Sequence, residues 1–190
     1  YIKACGMGLA IPLQHFSYGF SGEDKLELEF DEQRNDDEDS WKREHVWPRS
    51  QGFRSEGRYA HNDVHHLVAE DKSVNGFKSN AIFDNGGTET DPQCKDCTKS
   101  PPGDDAITFE PPDDRKGVVA RQMFCLDTGT RGTPDLNKLA GLEDVVKKEP
   151  SCGSLTTLLQ WHCHHPVTQY ELDRNEKAKR WQGNRNPFID

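Results

Sequence analysis

The sequence predicts an α+β fold, a small strand–loop–strand–helix unit surrounded by helices and long loops. Three observations carry that expectation. Residues 41–47 and 63–69 read as short strands, and the second, DVHHLVA, is apolar enough to be buried. A helical stretch, EDKSVNGFKSNAIF, weakened by Gly76, follows directly. Toward the other end the apolar spacing turns helical, as in Leu155, Leu158, Leu159 and His162.

Taken in order, LELEF (26–30) alternates apolar and acidic residues, as a half-buried strand does. The acidic run DEQRNDDED (31–39) reads as a solvated loop and lacks the spaced oxygens and glycine of an EF-hand. GFRSEGRYAHND is a polar loop between the two central strands. Residues 84–114 are dense in Gly, Pro and Asp and are expected to be poorly structured. KGVVARQMFCLD (116–127) has helical composition, and Pro134 could open another helix from its first turn. Residues 154–163 and 166–181 form the last two helices. The second is so charged, with Glu171, Arg174, Glu176, Lys177 and Arg180, that it should mostly face water.

A chain of 190 residues suits one domain spanning 1–190, with no internal repeat and no linker. Its hydrophobic fraction of 32% and mean hydropathy of −0.94 allow only a modest core. A net charge of −9 predicts solubility and argues, taken alone, against attraction to polyanions. No apolar run approaches the ~20 residues of a membrane span, so no membrane partner is expected. No signal peptide is visible, which fits a mature form. Six cysteines, Cys5, Cys94, Cys97, Cys125, Cys152 and Cys163, fit up to three disulfides and an oxidising compartment. The less favoured reading places zinc on Cys94 and Cys97, completed by the Cys163–His165 run.

Chemistry concentrates in WKREHVWPRSQ (41–51), where Glu44 adjoins His45. Neighbours on a strand point to opposite faces, so a shared centre needs a bend or a metal between them. Glu44 and the Asn75 side-chain carbonyl offer two hard oxygens, the kind of donor with which Mg²⁺ binds while keeping several waters. His45, with an ordinary pKa near ~6.5, suits proton abstraction from water. A hard cation beside one histidine base is equipment for phosphodiester hydrolysis. The bland alternatives are a common Glu-His dipeptide, half-buried histidines at His65 and His66, and turn chemistry at Asn75-Gly76.

Four ordered segments resemble the endonuclease I family of the His-Me finger (ββα-metal) nucleases. They are WKREHVWPRSQGF, NDVHHLVAEDKSVNGFKSN, FEPPDDRKGVVARQMF and LLQWHCHHPVTQYELDRNEKAKRWQGNRNPFID. They run from about Trp41 to Asp190; the first 40 residues match poorly. The resemblance implies a ββα-metal finger over 41–80, a loop-rich insertion at 84–114 and a helical part over 115–190. It implies His45 as general base and Glu44 and Asn75 as ligands of one Mg²⁺ or Mn²⁺. The implied products carry 5′-phosphate ends. An arginine on the substrate phosphate is also expected, with Arg58 favoured over Arg49 and Arg54. Arg49, Arg54, Lys78 and Arg121 are expected nucleic-acid contacts, although an internal salt bridge competes for Arg121.

Departures from the family pattern are Lys78 in place of arginine, Val118 in place of a carboxylate, His165 in place of aspartate, and an insertion with Cys94 and Cys97, read as a local disulfide. The expected protein is a secreted or periplasmic monomer that cleaves DNA, with RNA open as a further substrate and little sequence preference. A local basic groove, including Arg43 and Arg49, would have to offset the overall acidity; binding is expected to be weak and salt-sensitive, and a working environment of high ionic strength would screen the long-range repulsion. The alternatives are a non-catalytic extracellular structural or binding protein on the same scaffold, and a zinc-stabilised interaction module.

Overall fold

A computed structural model describes residues 41–51, 59–103, 107–130 and 153–190. In order these form β1 (Trp41–His45), β2 (Leu67–Asp71), α1 (Lys72–Lys78), β3 (Ile82–Phe83), β4 (Glu89–Asp91), β5 (Cys94–Lys99), β6 (Thr108–Glu110), α2 (Asp113–Thr130), α3 (Leu155–His164) and α4 (Gln169–Gln182). Short 3-10 turns cover Arg49–Gln51 and Tyr59–Asn62. The expected strand at 26–30, the acidic run 31–39, Arg54, Arg58, Cys5, Cys152 and the helix expected from Pro134 lie outside the described residues.

β1 and β2 form an antiparallel pair, with Glu44 opposite Val68 and His45 opposite Leu67. α1 follows at once. Asp71 caps it by accepting the Ser73 and Val74 N–H groups, which satisfies two of the helix's orphan donors. α1 is shorter than its composition suggested. It stops at Ser79, which takes a positive φ of 54°. Ile82 and Phe83 then pair with β6 instead of continuing the helix.

The second sheet has the order β3-β6-β5-β4, parallel between β3 and β6 and antiparallel elsewhere. It corrects the expectation of a poorly structured stretch at 84–114. β4 and β5 carry few apolar residues, yet Cys94 and Cys97 are buried and joined by a disulfide, so the staple replaces part of a hydrophobic face. Phe83 and Phe109 meet edge to face beneath this sheet.

α2 is the central helix, buried along 117–127. Its Val119, Met123, Phe124 and Leu126 join Leu158 and Trp161 of α3, Phe83, Phe109 and Phe188 in one core that Val46 and Trp47 also enter. α4 mostly faces water, as expected, yet it also has a buried face. Glu171, Asn175, Ala178 and Gln182 form a buried stripe at helical spacing, three of the four polar. Glu171 receives a bidentate ion pair from Arg121, with Nε and Nη2 donating at 2.6 and 2.9 Å. Asn175 accepts the Asn186 N–H at 2.7 Å and donates to the Asn186 carbonyl at 3.1 Å. Buried polar groups of this kind are tolerated because each finds partners.

Candidate active site

Strand alternation puts Glu44, Val68 and Glu70 on the face of the β1–β2 pair that α1 covers. Asn75 Nδ2 donates to Glu44 Oε2 at 2.5 Å and to Glu70 Oε2 at 3.2 Å. Lys78 Nζ pairs with the other Glu44 oxygen. Lys78 is only 1% exposed and also lies 5.2 Å from the centre of the Phe83 ring. Lys78, expected at the nucleic acid, is therefore an internal counter-ion of Glu44 and not a surface cation. Sequence reading missed Glu70. Period-2 alternation from Val68, which faces Glu44, was the signal that would have found it.

The Asn75 amide nitrogen donates to both Glu44 and Glu70, which gathers two carboxylates and one side-chain amide, each able to offer a hard oxygen, at one place. Such a set fits Mg²⁺ or Mn²⁺, which take oxygen ligands and keep water in their shells. Among the described residues no cluster of three or more His, Cys, Asp or Glu side chains forms a metal cage. Cys94 and Cys97 are committed to each other, so neither is a thiolate available to zinc. Cys163 is disulfide-bonded as well, and Cys125 is a buried free thiol whose pKa is pushed up by burial.

His45 ends β1 and occupies the opposite side of the strand from Glu44. Its ring lies 4.7 Å from that of His61 and 5.5 Å from that of His66. Its Nε2 is 2.9 Å from the His61 carbonyl oxygen. A carbonyl only accepts, so Nε2 carries the proton and Nδ1 keeps the lone pair. Burial first, then the neighbouring His66, push the imidazole pKa down to about 3. The ring is neutral at pH 7. The Val46 N–H donates to the His66 carbonyl at 3.0 Å, one position beyond the last pair of the β1–β2 ladder, and the chain bends at Val46 and Trp47. Glu44 and His45 both line one cleft of about 640 Å³ although they face opposite ways on the strand.

Lys42, Arg43 and Arg49 line the same cleft beside Asn75 and are all exposed. Arg49 thus lies where a phosphate contact was expected. Arg121 does not: it is 1% exposed and fully engaged by Glu171 and the His165 carbonyl. The competing reading of Arg121 as an internal salt bridge describes its geometry. His65 and His66 are buried. Behind them α4 holds the strand-leading loop. Arg174 Nη2 donates to the Val64 and Leu67 carbonyls at 2.6 Å each, and Gln182 accepts the Val64 N–H at 2.9 Å.

A cleft holding a carboxylate, an amide and a tautomer-fixed histidine, built on a β–β–α unit, narrows the class of protein. Residues 15–190 match the Endonuclease I family, and the chain belongs to it. It is 39% identical over 158 residues to a protein of Bacillus subtilis (strain 168) named extracellular ribonuclease, covering 79% of this chain and 51% of that protein. A second extracellular ribonuclease, of Bacillus amyloliquefaciens, is also 39% identical over 158 residues, with 79% and 50% covered. The chain spans about half the length of the curated relatives it matches.

Proposed function

We propose that this chain is an extracytoplasmic, metal-dependent endonuclease that hydrolyses RNA or DNA with little sequence preference and leaves 5′-phosphate ends. The observation that carries the proposal is the His45–His61 hydrogen bond, which fixes Nδ1 as the base nitrogen in the cleft that Glu44 and Asn75 share. The Bacillus relatives, both named extracellular ribonucleases, support an extracellular role and bring RNA forward as a substrate.

In this reading His45 Nδ1 takes a proton from the attacking water, while the His61 carbonyl holds the ring's tautomer and orientation. A depressed pKa keeps the base empty before substrate arrives, and the negative charge of the phosphodiester then strengthens its hold on the proton. Glu44 and Asn75, with Glu70 behind them, would hold the Mg²⁺ or Mn²⁺. That ion supplies Lewis-acid stabilisation of the charge developing on phosphate and leaving oxygen. Lys78 holds the Glu44 carboxylate in place through their ion pair. Lys42, Arg43 and Arg49 draw the backbone into the cleft without reading bases, which accounts for low sequence preference.

The test is cleavage of plasmid DNA and of a structureless RNA, each with Mg²⁺, with Mn²⁺ and with EDTA, by wild type and His45→Ala. Cleavage lost with EDTA, and reduced by about 10²–10⁴-fold in His45→Ala, is the expected result. Equal cleavage by the folded variant would reject His45 as base.

A further inference from the structure

The Cys94–Cys97 ribbon has no part in the chemistry above, yet it touches the helix that carries Asn75 at both ends. At the start of α1, Ser73 Oγ donates to Asp91 Oδ2 at 3.1 Å. At its end, Lys99 Nζ donates to the Phe77 carbonyl at 2.5 Å and lies 5.4 Å from the centre of the Phe77 ring. The C-terminal carbonyls of a helix lack partners within the helix and carry partial negative charge, so an ammonium there satisfies and stabilises the last turn.

Asp91 and Lys99 are fixed relative to each other by the ribbon itself. Asp91 pairs with Cys94 and Glu89 with Lys99 in the β4–β5 ladder. Asp91 Oδ1 accepts the Gln93 N–H at 2.8 Å, which stiffens the turn. Thr88 N–H donates to the Lys99 carbonyl at 3.0 Å. Gly87, at φ +139°, lies so close to the Lys99 backbone that no Cβ could fit. The disulfide anchors β5 in the core through Cys94 and Cys97.

We infer that the disulfide-closed β4–β5 ribbon is a positioning brace for α1, with Lys99 and Asp91 as its two contact residues, and that it sets the affinity of the Glu44–Asn75 pair for a divalent cation. A helix of seven residues is too short to hold its own register, because isolated helices below about 12–15 residues are marginal in water. Asn75 lies between the two braced ends and meets Glu44 from across the β1–β2 pair. A small slide or fraying of α1 separates those two donors before anything else in the fold changes. This inference rests on the metal-dependent reading of the site.

The experiment measures Mn²⁺ binding to wild type, Lys99→Met, Lys99→Arg and the Cys94→Ala/Cys97→Ala double variant, by paramagnetic resonance of free Mn²⁺. Hydrogen exchange of the metal-free proteins over residues 72–78 and the thermal midpoint are followed in parallel. Methionine keeps the stem over Phe77 and removes the donor. Lys99→Met should weaken Mn²⁺ binding by about tenfold, the lower end of losses seen when groups supporting metal ligands are removed. Exchange over α1 should quicken while the thermal midpoint stays near that of wild type, and Lys99→Arg should restore both. The cysteine variant should move Mn²⁺ binding in the same direction. Wild-type Mn²⁺ affinity and α1 protection in folded Lys99→Met would overturn the brace and leave the metal site standing. No Mn²⁺ binding by wild type would overturn the metal reading and the brace's role with it. A lowered thermal midpoint with unchanged Mn²⁺ affinity would reduce the ribbon to a structural element and reject the inference.

Discussion

Two helical glycines, Gly76 in α1 and Gly117 in α2, should respond in opposite directions to alanine. By helix propensity alone each substitution stabilises by up to about 1 kcal/mol. At Gly76 an added Cβ meets nothing within 4 Å, so that gain is free of any clash. At Gly117 the Cβ would sit 2.6 Å from Arg121 Nη2, 2.7 Å from His165 Cβ and 2.9 Å from the His165 carbonyl oxygen. The guanidinium has nowhere to go. Its Nε and Nη2 are held by Glu171 at 2.6 and 2.9 Å and its Nη1 by the His165 carbonyl at 2.8 Å. Overpacking costs about 1–3 kcal/mol. Loosening a buried pair adds part of the roughly 3–5 kcal/mol that breaking it costs. Net of propensity, Gly117→Ala should lose about 2–4 kcal/mol. With a urea m-value of about 2 kcal/mol/M, its midpoint should fall by about 1–2 M, while that of Gly76→Ala rises slightly. Tryptophan fluorescence in urea measures both. A Gly117→Ala midpoint at or above wild type, with m unchanged, would refute the claim that Gly117 exists to admit the Arg121–Glu171 pair.

The remaining predictions use the same site and core. Glu171→Gln strands the buried Arg121 charge and weakens the α4 capping box, and should cost about 3–5 kcal/mol in urea unfolding; a loss under about 1 kcal/mol would sink the argument. Because His45 is depressed to about 3, the acid limb of kcat/KM should not fall near pH 6.5; a half-loss there that vanishes in no other variant would reject the burial of His45 as the controlling feature. His45, His65 and His162 are all held below the ordinary histidine value by burial. The unfolded chain takes up protons below pH 6.5 that these folded rings refuse, so stability should decline as pH drops from 6.5 toward 3, and a urea midpoint flat over that window would contradict it. Asn75→Ala should weaken Mn²⁺ binding and leave the unfolding free energy from urea titration within about 1 kcal/mol of wild type, since Asn75 is half-exposed.

Much of the site was legible because its chemistry is local in sequence. Glu44 next to His45, before Trp47-Pro48, and Asn75 in a helix directly after a strand are visible as letters, and their elements follow from alternation and capping. The His61 carbonyl that fixes the His45 tautomer was not legible, because every residue has a carbonyl and side-chain identity says nothing of which one is used. Lys78 and Arg121 misled for a related reason. A basic letter declares charge and not burial, and both sit against carboxylates 34 and 50 positions away in the chain. β4 and β5 were hidden by their polarity, since a disulfide stands where apolar alternation would have been. The buried face of α4 has the right period and the wrong residue types, so a search for apolar stripes passed over Glu171, Asn175 and Gln182.

The grip of α4 on the loop before β2 also bears on when the site comes into being. Arg174 and Gln182 meet Val64 from 110 and 118 positions downstream. The strand that pairs with Glu44 and His45 is therefore steadied by residues that leave the ribosome long after Glu44, His45 and Asn75 have done so. Contacts of such long separation form late, after their loop-closure entropy has been met. A nascent chain long enough to contain Glu44, His45 and Asn75 still lacks the helix that supports their loop. The fold thus acts as a timer, and it withholds an assembled cleft until synthesis has passed well beyond the residues that line it.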